Sequence, residues 1–154
     1  MISSIRKFNY YLIILLFGLQ ICIVFSQVIW RFIFNDPFSW SEELARYLQV
    51  WIILFSTAVC IEKSRHLSVD YLKNNINPNV RRYLQLLCYT MVSVFSISII
   101  IFGIQFILTV GYQKTSAIQL PIGYVYLAFP IAGIHMFLET IIIIKKIMTQ
   151  KFKY

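Results

Sequence analysis

The chain has 154 residues, of which 59% are hydrophobic and only 13% are charged, and it carries a formal net charge of +8. Its mean hydropathy of +0.73 leaves too little polar surface for a water-soluble domain of this length. Long uncharged apolar runs are typical of transmembrane helices. The basic residues flank such runs instead of lining one polar segment, so nucleic-acid binding is excluded as the explanation of the charge.

Four membrane spans are predicted, at about 8–30, 40–61, 83–109 and 122–144, in a single all-α membrane domain over 1–154. The first run is too long for the apolar core of a cleaved signal peptide, so we expect it to be retained as a helix. The second uncharged run, 47–61, covers only about 22 Å of helix, less than a hydrocarbon core of about 30 Å. We therefore expect this helix to begin near Ser39, which places Arg46 at the membrane boundary.

The last two spans carry signals for packing and for a kink. Mainly small residues at helical spacing predict a close-packing face on the third span: Tyr89, Ser93, Ser96, Ile100 and Gly103. The fourth span follows Pro121 and contains Pro130, which lacks a backbone N–H and is expected to kink the helix. One face of the fourth span is predicted to hold Tyr124, Ala128, Ala132, His135 and Glu139.

The distribution of Lys and Arg predicts the orientation. If both termini are cytoplasmic, eleven of the 14 basic residues lie on the cytoplasmic side, and Arg31, Arg46 and Lys114 lie outside. Cytoplasmic loops of membrane proteins carry an excess of basic residues. We therefore expect cytoplasmic N- and C-termini and an outward-facing segment 31–46.

His135 and Glu139 are the polar pair deepest in an apolar segment, one helical turn apart. Intramembrane carboxylates are costly and often functional, so a proton relay or half of a metal site is one interpretation. The favoured interpretation is structural: Glu139 contacts a Lys or Arg near the cytoplasmic boundary, or another helix. No metal, cofactor or enzymatic activity is expected.

Two other groups have weak chemical signals. Arg65, His66 and Asp70 follow the second span, where they can form an anion site or simply a solvated, capping group. The three cysteines, Cys22, Cys60 and Cys88, are far apart in sequence and lie in apolar runs, so we expect them to pack in the interior as small hydrophobic residues.

Segment 31–46 mixes charges with aromatic residues between two apolar runs. Arg46 lies four residues after Glu42 and three after Glu43, so an ion pair within one helix is one explanation. The alternative is an outward-facing docking surface that includes Trp40. The residues alone leave both open.

Two stretches resemble the signature of the small membrane subunit of tripartite ATP-independent periplasmic (TRAP) transporters: QVIWRFIFNDPFSWSEELARYLQVW and EKSRHLSVDYL. The matching positions are Arg31, Asn35, Pro37, Trp40, Glu42, Glu43 and Arg46, then Arg65, His66 and Asp70. Arg65 directly precedes the histidine, where the family pattern has one residue between them. The later stretch TSAIQLPIGYVYLAFPIAG, with Pro121 and Pro130, also resembles the family, so the resemblance covers roughly 27–133.

The resemblance implies a stand-alone, non-catalytic subunit of the bacterial inner membrane. Its expected partners are a large, sodium-coupled, elevator-type membrane subunit, a periplasmic substrate-binding protein and membrane lipids. The expected cargo is an organic anion such as a C4-dicarboxylate or a sialic acid. The signature positions 31–46 are then expected to form an interface, with Arg65, His66, Asp70 and the two prolines in structural roles.

Two other functional classes fit the sequence less well. An autonomous four-helix, proton-coupled efflux transporter needs a carboxylate in the middle of its first helix, where this chain has only Gln20 and Gln27 as strongly polar residues. A four-helix membrane redox enzyme needs paired reactive cysteines, which the cysteine spacing disfavours.

Overall fold

The computed structural model describes residues 2–34, 39–63 and 78–149. Five helices occupy these ranges: α1 Ile2–Ile33, α2 Ser39–Glu62, α3 Pro78–Val110, α4 Ile122–Tyr126 and α5 Ala128–Thr149. Four stretches in this part of the chain are long and apolar enough to cross a membrane: Ile5–Ile33, Ser39–Glu62, Arg82–Val110 and Ile122–Thr149. The predicted all-α, four-span fold is therefore confirmed, and the second helix begins at Ser39 as its short uncharged run required.

The last two spans extend further than the hydropathy predicted. Helix α3 begins at Pro78, a residue favoured in the first turn because the N–H that it lacks would have no partner there. Helix α5 continues past Lys145 to Thr149. Arg82 of α3 donates hydrogen bonds to the carbonyl oxygens of Ile147 (2.9 Å) and Met148 (3.3 Å), which satisfies carbonyls at the end of α5.

The helices pack in the order α1, α2, α5, α3, so α2 and α5 form the interior. The buried core of the bundle consists of Ala58 and Ile61 of α2, Ala132, Met136 and Ile143 of α5, and Tyr89 of α3. Asn9 is the only buried residue of α1 among those whose burial is described. Large apolar side chains of α1, such as Phe8 and Tyr11, are exposed and suit contact with lipid or with another subunit.

The predicted stripe of small residues on α3 packs against α5. Ser96 is fully buried, and a Cβ added at Gly103 would lie 2.8 Å from Phe129 Cβ. A Cβ added at Gly133 of α5 would lie 2.7 Å from Ile100 Cγ1. Glycine on both helices therefore permits the close approach of their backbones.

The fourth span is interrupted at Leu127, between α4 and α5. Pro130 has no N–H to offer the carbonyl of Tyr126, and its ring crowds the preceding turn, so the break lies just before the proline. The interruption corrects the predicted single face. Ala128, Ala132 and Glu139 are buried, but Tyr124 lies on the separate helix α4 and is exposed.

The expectation for the cysteines is wrong. Cys22, Cys60 and Cys88 are all free and exposed on the helix surfaces. A thiol behaves as a small hydrophobic group, and such a group is stable against lipid as well as in a protein interior. Apolar sequence context therefore does not distinguish the two locations in a membrane protein.

Candidate functional site

Polar groups concentrate at the two ends of the bundle. We call the end that holds the start of α2 and the connection 111–121 the loop side. The other end, which holds the start of α1 and the ends of α2 and α5, we call the terminal side.

Glu43 joins helix α2 to the connection 111–121 on the loop side. Its Oε2 accepts hydrogen bonds from the backbone N–H groups of Ala117 (2.8 Å) and Ile118 (3.1 Å). Its Oε1 accepts a short hydrogen bond, 2.5 Å, from the hydroxyl of Tyr47, one turn along α2. Hydrogen bonds to an ionised carboxylate are stronger than those between neutral groups. Both oxygens of this side chain are thus engaged inside the protein.

The ends of the connection 111–121 are paired with each other. Lys114 and Pro121 form an antiparallel bridge, and the N–H of Gly123 donates to the carbonyl of Gly111 at 3.1 Å. A Cβ added at Gly123 would lie 3.2 Å from that carbonyl oxygen. The close backbone approach therefore favours glycine at this position.

The tip of the connection is held by Thr115, which is only 3% exposed. Its N–H donates to the carbonyl of Leu120 (2.9 Å), and its hydroxyl accepts from the N–H of Leu120 (3.1 Å). Gln119 adopts a positive φ of 59°. This left-handed conformation is unfavourable for a residue with a Cβ and persists only where its surroundings impose it.

The other signature residues of the loop side lie at the surface. Arg31, Glu42 and Arg46 are exposed, and Trp40 is 44% exposed. Glu42 Oε1 accepts a hydrogen bond from Gln27 Nε2 of α1 at 3.2 Å.

The proposed ion pair within α2 does not form: among the described residues, no salt bridge joins Arg46 to Glu42 or Glu43. Glu43 is directed at the connection instead, so Arg46 remains available at the surface.

Several predicted positions fall outside the described residues: Asn35, Pro37, Arg65, His66 and Asp70. The two prolines of the late signature are described. Pro121 has extended backbone angles directly before α4, and Pro130 is buried against α3.

On the terminal side, Arg6 of α1 binds Glu139 of α5. Arg6 Nε and Nη2 donate to the two carboxylate oxygens at 2.8 and 2.5 Å. Glu139 is 2% exposed, and Arg6 also lies 3.5 Å from Glu62 of α2. This ion pair therefore connects three helices, and its bidentate geometry suits a buried carboxylate.

Asn9 and His135 continue this cluster toward the interior. Asn9 Nδ2 lies 3.4 Å from the carbonyl oxygen of Phe55 and 3.1 Å from His135 Nδ1. If the amide donates, His135 Nδ1 is an acceptor and the ring proton of the neutral imidazole is on Nε2, which lies 3.6 Å from Glu139 Oε1. Among the described residues, no group of three or more His, Cys, Asp or Glu could hold a metal ion.

Sequence patterns did not identify some of these partners. Arg6 counts only as one of the basic residues that predict the orientation, Thr115 only as the first residue of a stretch that resembles the family, and Asn9 and Tyr47 have no predicted role. Asn9 alone had a local signal, since it is a polar residue in an apolar run. Arg6 depends on a contact across 133 positions. Tyr47 and Thr115 bond to residues four and five positions away, but these local bonds matter because Glu43 contacts the distant connection 111–121.

Comparison with known proteins identifies the family of this chain. The family described as "Tripartite ATP-independent periplasmic transporters, DctQ component" matches residues 20–150. A putative TRAP transporter small permease protein of Haemophilus influenzae is 32% identical over 80% of this chain and 76% of its own length.

Two relatives carry sialic acid in their names. The sialic acid TRAP transporter small permease protein SiaQ of Vibrio cholerae is 27% identical, over 71% of this chain and 64% of its own length. The sialic acid TRAP transporter permease protein SiaT of Haemophilus influenzae is 27% identical over 81% of this chain, which spans only 20% of SiaT. The chain therefore belongs to the DctQ family, the small membrane component of TRAP transporters, and is a multi-pass protein of the bacterial inner membrane.

Proposed function

We propose that this chain scaffolds a large, sodium-coupled, elevator-type TRAP subunit and helps dock a soluble periplasmic substrate-binding protein. The cargo is an organic anion of the C4-dicarboxylate or sialic acid class, the two classes that occur in the names of its relatives. The loop side faces the periplasm, and the exposed Arg31, Trp40 and Arg46 contribute to its contact surface, together with Asn35 of the same signature.

The observation that carries the scaffold role is the state of Glu139. A carboxylate that couples transport must exchange protons or ions during the cycle. Glu139 instead receives two hydrogen bonds from Arg6, a side chain that stays protonated at all physiological pH values. This pairing supports a fixed structural role, in which α1 is held against α5 while the substrate is carried by another subunit.

The exposed apolar faces support a partner within the membrane. Helix α1 packs along α2 but leaves much of its apolar surface exposed among the described residues, and α3 exposes Phe95, Phe102 and Leu108. Such faces contact either lipid or the large subunit. A four-span chain whose outer helices, α1 and α3, are this exposed suits an accessory subunit that packs against other subunits in a complex.

Co-purification tests the proposal. The tagged chain, extracted from its native membrane in a mild detergent, is expected to elute with a large multispanning membrane protein in constant ratio through gel filtration. An unrelated tagged four-span protein from the same membrane is the control. Elution of the folded chain without any such partner would contradict the scaffold role.

An autonomous proton-coupled efflux transporter is the alternative. It predicts that the purified chain, alone in proteoliposomes, takes up cations in response to a pH gradient and loses this uptake in Glu139→Gln. Because Glu139 is already paired with Arg6, we expect no uptake by the chain alone.

A further inference from the structure

We propose that Glu43 is a positioning residue that fixes residues 115–120, so that the outward side chains of this loop form a contact surface for the soluble substrate-binding protein. The inference rests on the proposed function, because it assigns part of the docking surface within that complex. It also changes the role expected for Glu43, which the sequence places among residues that touch a partner directly.

Glu43 directs its carboxylate toward the loop. Its Oε2 accepts from two consecutive loop N–H groups and its Oε1 accepts from the Tyr47 hydroxyl. Three of the roughly four lone-pair sites of this carboxylate are therefore occupied within the chain. The side chain therefore acts inward, on the loop, and the loop presents the outer surface.

The loop exposes side chains that suit a water-soluble partner. Ser116, Ala117 and Gln119 are exposed, small or amide side chains without charge, and Lys114 beside them is also exposed. Leu120, 45% exposed, is the one large apolar side chain that residues 115–120 expose. The neighbouring surface of α3, for example Leu108 at 70% exposure, is apolar and suits lipid. A membrane-embedded partner would favour that apolar surface, whereas the polar loop suits a protein that approaches from water.

The loop is held in one conformation by restraints from both sides. Thr115 and Leu120 close its base, and the side chain of Gln119 donates to the carbonyl of Ser116 (3.1 Å). Glu43 of α2 accepts from the N–H groups of Ala117 and Ile118. A loop that is already ordered loses less conformational entropy when a partner binds. The positive φ of Gln119 shows that this order is maintained against a local conformational cost.

Photo-crosslinking in the assembled complex tests this inference. The crosslinker p-benzoylphenylalanine replaces Ser116 in the full chain, the complex with the large subunit is purified, and the soluble binding protein is added before irradiation. We expect an adduct between the loop and the binding protein. In Glu43→Ala the adduct yield should fall about fivefold. This is the change in binding equilibrium expected if the bound conformation of the loop loses roughly one net hydrogen bond of stabilisation.

Two variants separate positioning from general destabilisation. Glu43→Gln keeps an amide oxygen that can accept from Ala117 and Ile118, so it should retain most of the adduct yield. Thr115→Val removes the hydroxyl acceptor of Leu120 N–H at nearly constant volume and leaves the hydrogen bonds from Ala117 and Ile118 to Glu43 in place, so it should lower the yield by loosening the base of the loop. The control Gln49→Ala, an exposed position elsewhere on α2, should leave the yield unchanged.

The outcomes are distinct. An adduct from Ser116 to the large subunit or to lipid alone overturns the inference, as does a full yield of binding-protein adduct in both Glu43→Ala and Thr115→Val. If Glu43→Ala does not assemble with the large subunit, Thr115→Val decides. Failure of the proposed function is recognised earlier, because the unmodified chain would not purify with a large subunit at all.

Discussion

Arg6 and Glu139 join α1 to α5 across almost the whole length of the chain. Asn9 is the only buried residue of α1 among those whose burial is described, so this ion pair is a main polar anchor of the helix. Glu139 is 2% exposed, whereas the Arg6 side chain is 28% exposed and has a second carboxylate, Glu62, at 3.5 Å. Loss of either partner therefore has unequal consequences. Removing Arg6 leaves the buried carboxylate of Glu139 without its cation, but removing Glu139 leaves a cation that can still contact Glu62 and water.

We expect Arg6→Met to lower the free energy of unfolding by about 3 kcal/mol and Glu139→Met by about 1 kcal/mol. The double variant should be more stable than Arg6→Met alone, because no unpaired buried charge remains. Unfolding of the four proteins in detergent, followed by circular dichroism, measures this cycle. Lys7→Met, an exposed neighbour, is the control, and equal losses in the two single variants would contradict the assigned roles.

At the scale of the elements, the contact between α3 and α5 is set by glycines that face each other's helix. Gly103 lies against Phe129 Cβ and Pro130 Cδ, atoms attached to the backbone of α5. Gly133 lies against Ile100 Cγ1, which a change of rotamer can move. Gly18 on α1 has nothing within 4 Å of an added Cβ. The same substitution thus meets three different surroundings.

The loss of stability caused by a Gly→Ala substitution should be largest at Gly103, smaller at Gly133 and absent at Gly18. Gly103→Ala is expected to destabilise the protein by about 2 kcal/mol, because the helices must separate, and Gly133→Ala by less. Gly18→Ala should be neutral or stabilising by up to about 1 kcal/mol, since alanine favours the helix. Thermal unfolding midpoints in one detergent compare the three. A Gly103→Ala protein as stable as Gly18→Ala would refute the close packing of α3 on α5.

At the scale of the whole molecule, basic residues divide unequally between the two ends. Among the described residues, the loop side has three, Arg31, Arg46 and Lys114, and the terminal side has seven: Arg6, Lys7, Lys63, Arg81, Arg82, Lys145 and Lys146. The described part of the chain thus has the same bias as the full sequence. Because basic residues are retained in the cytoplasm during insertion, the terminal side is expected there.

Reporter fusions test this orientation. Alkaline phosphatase fused after Lys114 is expected to be active, since it folds only in the periplasm, whereas the same fusion after Lys63 should be inactive. Green fluorescent protein at the two positions should give the opposite pattern. Active phosphatase at Lys63 with an inactive fusion at Lys114 would contradict the expected topology. It would also contradict a periplasmic location of residues 115–120.

The sequence by itself determined the features that depend on local physical chemistry. The four spans follow from apolar length, the start of α2 at Ser39 from a run too short to cross the membrane, and the break before Pro130 from a missing N–H. The stripe on α3 was visible because small residues recur at the helical period. The family signature in 31–46 was also local, since its residues are consecutive.

Only the tertiary structure decided which polar groups meet. Arg6 and Glu139 are separated by 133 positions, and Glu43 and Ala117 by 74, so no spacing rule connects them. Tyr124 shares the spacing of the buried face but lies on the separate helix α4 and is exposed. Side-chain partners across helices depend on how the helices pack, and packing is a property of the whole chain.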